Sequence, residues 1–147
     1  MDVNRQFGCM ILGLCLLVLA GSVSPAWGYD SGVTVRTVLK STTAGNGQPL
    51  EYLRTDRPEV TAAVVEIAPG AQTGWHLHRV PVYAYVMEGT LTVQLDEGKE
   101  ITFNKGQAIL EVRNTPHNGI NAGKDTVRLI VFYTGAVGEP LSEKVER

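Results

Sequence analysis

From residue 29 onward the 147-residue sequence contains no cysteine, because its two, Cys9 and Cys15, both lie near the amino terminus. That removes disulfide staples, thiolate metal sites and cysteine nucleophiles from the rest of the chain. Histidine is almost as scarce: His76, His78 and His117 are all there are. Positive charge is not in excess, with 13 Lys and Arg against 15 Asp and Glu and a formal charge of −2. No basic stripe interrupts this balance, so a nucleic-acid partner is not expected. Long apolar runs are also absent, with one exception.

The exception is GCMILGLCLLVLA, residues 8–20, which comes after Arg5 and gives way to GSVSPAWG. A bilayer-spanning helix needs about 20 apolar residues, whereas the apolar core of a secretory signal has about 7–15 and ends near small residues. The run therefore predicts a signal peptide over residues 1–28, with Ala26 and Gly28 at the small-residue positions before the cut. Cleavage would leave residues 29–147 as one periplasmic or secreted domain with no stable membrane insertion. An uncleaved anchor carrying the same globular part outside is the competing reading.

Beyond residue 29 the segments are short, rich in β-branched residues and punctuated by Gly, Pro, Asn and Asp, the pattern of strands and turns. Strands are predicted over residues 33–39 (VTVRTVL), 60–68, 82–87, 90–95, 101–103, 107–112 and 126–133. GNGQP at 45–49 and DEGK at 96–99 read as turns. No segment keeps a helical apolar period over useful length, so the fold class is all-β, a sandwich or barrel. Residues 135–147 read as a polar tail that ends in a short turn or lies over a strand.

Two histidines separated by one residue share a face of an extended strand, close enough for their rings to hold one ion. A pair of polar residues on a solvated face explains His76 and His78 equally well. The third histidine shifts the balance. His117 sits in NTPHNGIN, after Asn114, a residue type that tolerates the left-handed backbone region.

The stretch Gly70-AQTGW-His76-Leu77-His78-RVP-Val82-YAYVME-Gly89 resembles the first motif of the cupins: Gly, five residues, His-x-His, three or four residues, Glu, six residues, Gly. Gly106-QAILE-Val112-Arg113-Asn114-Thr115-Pro116-His117-NGI-Asn121 resembles their second motif, in which Pro, Gly, His and Asn fall at the positions of Val112, Asn114, His117 and Asn121. Together the motifs occupy residues 70–121. The resemblance implies a double-stranded β-helix, the jelly-roll barrel, with one divalent transition metal held by His76, His78 and His117, and homodimers. Imidazole donors suit Fe, Zn, Cu and Ni, with Mn also open.

Val82 stands where the family places its glutamate. Glu88, in a hairpin turn, does not replace it, so the resemblance implies a trio of neutral imidazoles with Val82 as an apolar pocket wall. A divalent ion held this way keeps its full charge and favours anionic guests. The expected function is small-molecule chemistry of the dioxygenase type on an anionic or chelating oxygen-bearing substrate. A non-catalytic cupin that captures a ligand or metal is the alternative, and no catalytic residue is assigned. Glu66 and Glu111 are expected at exposed strand edges, the alternative being that one of them hydrogen-bonds a metal ligand or acts as a general base. Arg79 is expected at the barrel mouth, attracting an anionic substrate or simply solvated, and Trp75, Tyr83 and Tyr85 in packing roles on faces turned away from the histidines.

Overall fold

The computed structural model describes residues 29–96 and 98–146. The expected signal peptide, residues 1–28, lies outside them. Residues 36–147 make up one compact unit, and residues 29–35 belong to a separate one.

Among the described residues nine strands appear in chain order: β1 Pro58–Ile67, β2 His76–Leu77, β3 Val82–Glu88, β4 Thr90–Leu95, β5 Glu100–Asn104, β6 Ala108–Leu110, β7 His117–Ile120, β8 Val127–Ala136 and β9 Glu143–Lys144. They form two antiparallel sheets, ordered β1-β8-β3-β6 and β5-β4-β7-β2-β9. The described residues contain no helix. This is the all-β jelly roll that the sequence leads one to expect.

The longest pairing, β1 with β8, runs without interruption from Pro58 opposite Ala136 to Ile67 opposite Val127. Side chains alternate in and out along it because strand geometry has a period of two. Along β8, Val127, Leu129 and Val131 are buried; along β3, Val82, Ala84 and Val86 are. With Ile67, Val80, Leu91 and Ile109 they make the main core between the sheets. Each such Val, Leu or Ile side chain stabilises the fold by about 1.5–3 kcal/mol when fully buried. A second, smaller cluster joins Ala44, Leu95 and Val112, so Val112 takes a packing position where the family motif has proline.

Two turns carry backbone demands that the residue types meet. Asn114 has φ 55°, inside the left-handed region. Gly89 has φ 77° and closes the β3–β4 hairpin, where an added Cβ would lie 2.9 Å from the Thr126 carbonyl oxygen.

Residues 33–39 correct an expectation: they form no strand and are exposed throughout. Among the described residues no ladder pairs with them, and β-branched residues do not hold an extended strand without one. The polar tail is also more ordered than its composition suggests. Its residues Glu143–Lys144 form β9, which pairs with β2 through His76 opposite Lys144 and Leu77 opposite Glu143.

Candidate metal centre

The three histidines arrive by different routes. His76 lies on β2 directly opposite His117 on β7. His78 lies just past β2, bridged to Arg113, and its carbonyl accepts a hydrogen bond from the Asn114 amide at 2.8 Å. The left-handed turn at Asn114 thus pins both ends of the site. Ring centroids are 5.0 Å apart for His76 and His78, 4.4 Å for His76 and His117, and 5.0 Å for His78 and His117. One ligand nitrogen from each falls within 4.8 Å of the others. His78 and His117 are each only 3 % exposed, and His76 is half-buried.

Every Nδ1 faces a backbone carbonyl: His76 faces Gly74 at 2.8 Å, His78 faces Leu141 at 2.7 Å and His117 faces Thr115 at 2.9 Å. A carbonyl can only accept, so each Nδ1 carries a proton and donates it. In the neutral ring this leaves the lone pair on Nε2, the tautomer that metal-binding histidines adopt when a carbonyl holds the other nitrogen. Tyr133 closes one side, its ring meeting the His78 ring edge-on at 5.7 Å.

Glu111 departs from the exposed edge position that the sequence suggests. It lies inside the site, its side chain 16 % exposed, with Oε2 3.2 Å from Nε2 of both His78 and His117. Burial pushes its carboxyl up, but the hydrogen bonds and charges of His117 and His78 outweigh this and hold it well below the usual carboxylate range. For His117, burial alone would lower the pKa, and the Glu111 carboxylate more than reverses that. For His76 burial wins, and its pKa is lowered. Burial, and then the Glu111 charge, raises the Tyr133 phenol. The expectation of a site without a negative protein partner is therefore overturned. The sequence does hold a signal for this: Glu111 has the same strand parity as Ile109, which is buried. In AILEV, however, Ile109 and Leu110 are both apolar, so alternation alone does not say which side faces in.

These contacts test whether the residues suit a divalent ion. A carboxylate oxygen facing two Nε2 lone pairs sets acceptor against acceptor, which is unfavourable unless something cationic lies between them. Protons on both rings would put two imidazolium charges side by side within a buried cluster. A single divalent ion satisfies all the acceptors at once, and the donor set fits it.

The other candidates lie as follows. Val82 is 1 % exposed within the main core and is not among the residues lining the histidine cavity. That cavity, about 60 Å³, is walled by Val65, Ile67, Leu91, Val93, Leu129 and Val131 opposite the histidines. Outside it opens a wider cleft of about 410 Å³ where Trp75, Tyr133, Ser142 and Lys144 surround His76 and His78. Trp75, given a packing role by the sequence, therefore reaches the rim. Arg79 is tied to Glu143, with Nη2 3.0 Å from Oε2, and Lys144 supplies the cation at the mouth instead. Glu66 is exposed and paired with Arg128 at 2.8 Å, as an edge residue would be. Tyr83 and Tyr85 are half-buried on the opposite face of β3 from Val82.

A family model for the cupin domain matches residues 63–133. The beta-alanine degradation protein BauB of Pseudomonas aeruginosa is 33% identical over 86 residues, 57% of this chain and 90% of that protein. The 3-hydroxyanthranilate 3,4-dioxygenase of Meyerozyma guilliermondii is 33% identical over 66 residues, 43% of this chain; the match spans only 38% of the enzyme's own length. The structure of the polyketide cyclase RemF from Streptomyces resistomycificus superposes with a TM-score of 0.52 at 26% identity, over 60% of this chain and 61% of that one. The chain belongs to the cupin family.

Proposed function

We propose that this cupin binds one divalent transition metal through His76, His78 and His117 and carries out dioxygenase-type chemistry on a small, anionic or chelating oxygen-bearing substrate. The observation that carries the reading is the locked trio of imidazoles, each held by a carbonyl so that its Nε2 carries the lone pair an ion needs. The partial likeness to a 3-hydroxyanthranilate 3,4-dioxygenase supports the reaction class.

A bound ion would supply Lewis acidity and, where it is iron or copper, one-electron chemistry with dioxygen. The chain's own groups do the rest. The inner cavity of about 60 Å³ has room for little more than a diatomic molecule and a substrate donor atom. The body of the substrate therefore lies in the outer cleft, where Lys144 attracts its negative charge and Trp75 and Tyr133 offer flat surfaces. The aliphatic wall excludes water from the reacting end, which strengthens the electrostatics there. Tyr133, its phenol kept protonated by burial, is placed to donate a hydrogen bond to a substrate oxygen.

We also propose export, resting on the apolar run at residues 8–20, and a homodimer, resting on the exposed Val60, Val64 and Phe132 of the outer β1–β8 face. The small inner cavity favours one second reading, capture of a ligand or of the metal without turnover. Elemental analysis of the purified protein together with oxygen-electrode assays on hydroxylated aromatic acids and β-diketones tests both. Bound iron or copper with substrate-dependent oxygen uptake supports the enzyme, metal without uptake supports capture, and protein that retains no metal refutes both.

A further inference from the structure

Resting on that reading, we propose that Glu111 is a fourth protein ligand of the ion, a carboxylate supplied from the residue just past β6, the strand beside the one that carries Val82. Two equal distances point to it. Oε2 of Glu111 is 3.2 Å from Nε2 of His78 and 3.2 Å from Nε2 of His117. Ligand atoms about 2.1 Å from a common ion are separated by about 3.0 Å at a right angle and about 3.4 Å at a tetrahedral one. The observed spacing falls between, so the Glu111 oxygen stands at ligand-to-ligand spacing from two of the three histidine donors.

The backbone explains how the carboxylate arrives there. β3 and β6 pair Tyr83 with Leu110 and Ala84 with Ile109. One step further, the Glu111 amide donates to the Val82 carbonyl at 3.0 Å, so Val82 and Glu111 are cross-strand neighbours. Opposed residues of an antiparallel pair project to the same face with Cβ atoms about 5 Å apart. Val82 is buried on the inner face of β3, and Glu111 therefore enters the barrel interior at the same level, displaced sideways by one strand. Valine fills the space behind it.

The consequence is chemical. Three neutral imidazoles and one carboxylate would leave a divalent ion with one net positive charge rather than two, and with fewer open positions. Such a centre holds metal more tightly and recruits exogenous anions less strongly than the three-imidazole version.

The full chain loaded with cobalt(II) provides the test, comparing wild type with Glu111→Ala, Glu111→Gln, His76→Ala and the double variant Val82→Glu/Glu111→Ala. If Glu111 is a ligand, both single Glu111 variants change the position and intensity of the cobalt visible bands. Azide binding, titrated through those bands, tightens at least about tenfold in Glu111→Ala as the site gains charge and an open position. The double variant, if folded by circular dichroism, moves the azide affinity back toward wild type. Glu111→Gln preserves shape and an acceptor oxygen, so it decides the question if Glu111→Ala does not fold. Unchanged bands and azide affinity in the Glu111 variants, with cobalt lost in His76→Ala, would mean that Glu111 only hydrogen-bonds the rings, and would overturn this inference while leaving the metal site intact. Failure of wild type to bind cobalt would overturn the metal reading itself.

Discussion

His76 and His117 stand directly opposite each other across the β2–β7 ladder, and their rings are 4.4 Å apart between centroids. Strand register, not proximity in sequence, makes them a pair. A ligand that binds only the folded state stabilises it by mass action, about 2.7 kcal/mol at a hundredfold excess over Kd. Divalent metal at that excess should raise the thermal midpoint of the wild type. His117→Ala should lower bound metal, measured by elemental analysis after gel filtration, from near one equivalent toward none and abolish the thermal shift. Retention of both would contradict a role for His117 in holding the ion.

The tail holds His78 in place, because the Leu141 carbonyl accepts its Nδ1 proton at 2.7 Å and β9 covers the outer edge of β2. Truncation after Gly138 removes both. Losing a group that orients a metal-binding imidazole typically costs 10–100-fold in affinity. Chelator competition should show a loss of that order, while the β1–β8 pairing, which ends at Ala136 before the cut, keeps the far-ultraviolet circular dichroism near that of wild type.

Asn114 offers a backbone test that leaves every donor atom in place. At φ 55° a β-branched side chain clashes with its own backbone, and such strain costs on the order of 1–3 kcal/mol. Asn114→Val should lower stability by that amount in urea denaturation and weaken metal retention, since the Asn114 amide anchors the His78 carbonyl. Asn114→Gly, at home in this conformation, should stay within about 0.5 kcal/mol of wild type.

The pairing of Glu111 with His117 predicts a pH window in protein stripped of metal. His117 has a raised pKa, so its contribution is complete below its ordinary value of 6.5 and is lost as pH rises through the folded-state value. Glu111 has a depressed one, so its contribution is complete above its ordinary value of 4.5 and fades as pH falls toward the folded-state value. The stability difference between wild type and Glu111→Gln should peak between those two ordinary values and shrink on either side. His76, lowered mainly by burial, destabilises both proteins as pH drops below 6.5, somewhat more in Glu111→Gln because the Glu111 charge raises its pKa in the wild type. Thermal midpoints across the pH range check this, and a flat difference would contradict it.

The large strands are legible because their sequences alternate. Residues 60–68, 82–87, 90–95 and 126–133 all fall on β1, β3, β4 and β8 within a few positions at each end. Of the shorter strands, β5 and β6 are also anticipated, by residues 101–103 and 107–112, but three are not. β2, β7 and β9 consist of HL, HNGI and EK, too brief and too polar to show a period, yet β2 and β7 carry two of the three histidines. Residues 33–39 show the converse: an alternating apolar pattern that meets no partner strand among the described residues and stays irregular.

Residue order alone was enough for the all-β architecture, the left-handed turn at Asn114 and the three imidazoles at family spacing, because each depends on local geometry and on a side-chain period written along the chain. It took the packed barrel to turn Glu111 inward beside His78 and His117, to tie Arg79 to Glu143, and to lock His78 with a carbonyl from the tail. Those contacts join positions that only the register between strands brings together. In an apolar segment such as AILEV, register alone settles which residues point into the barrel.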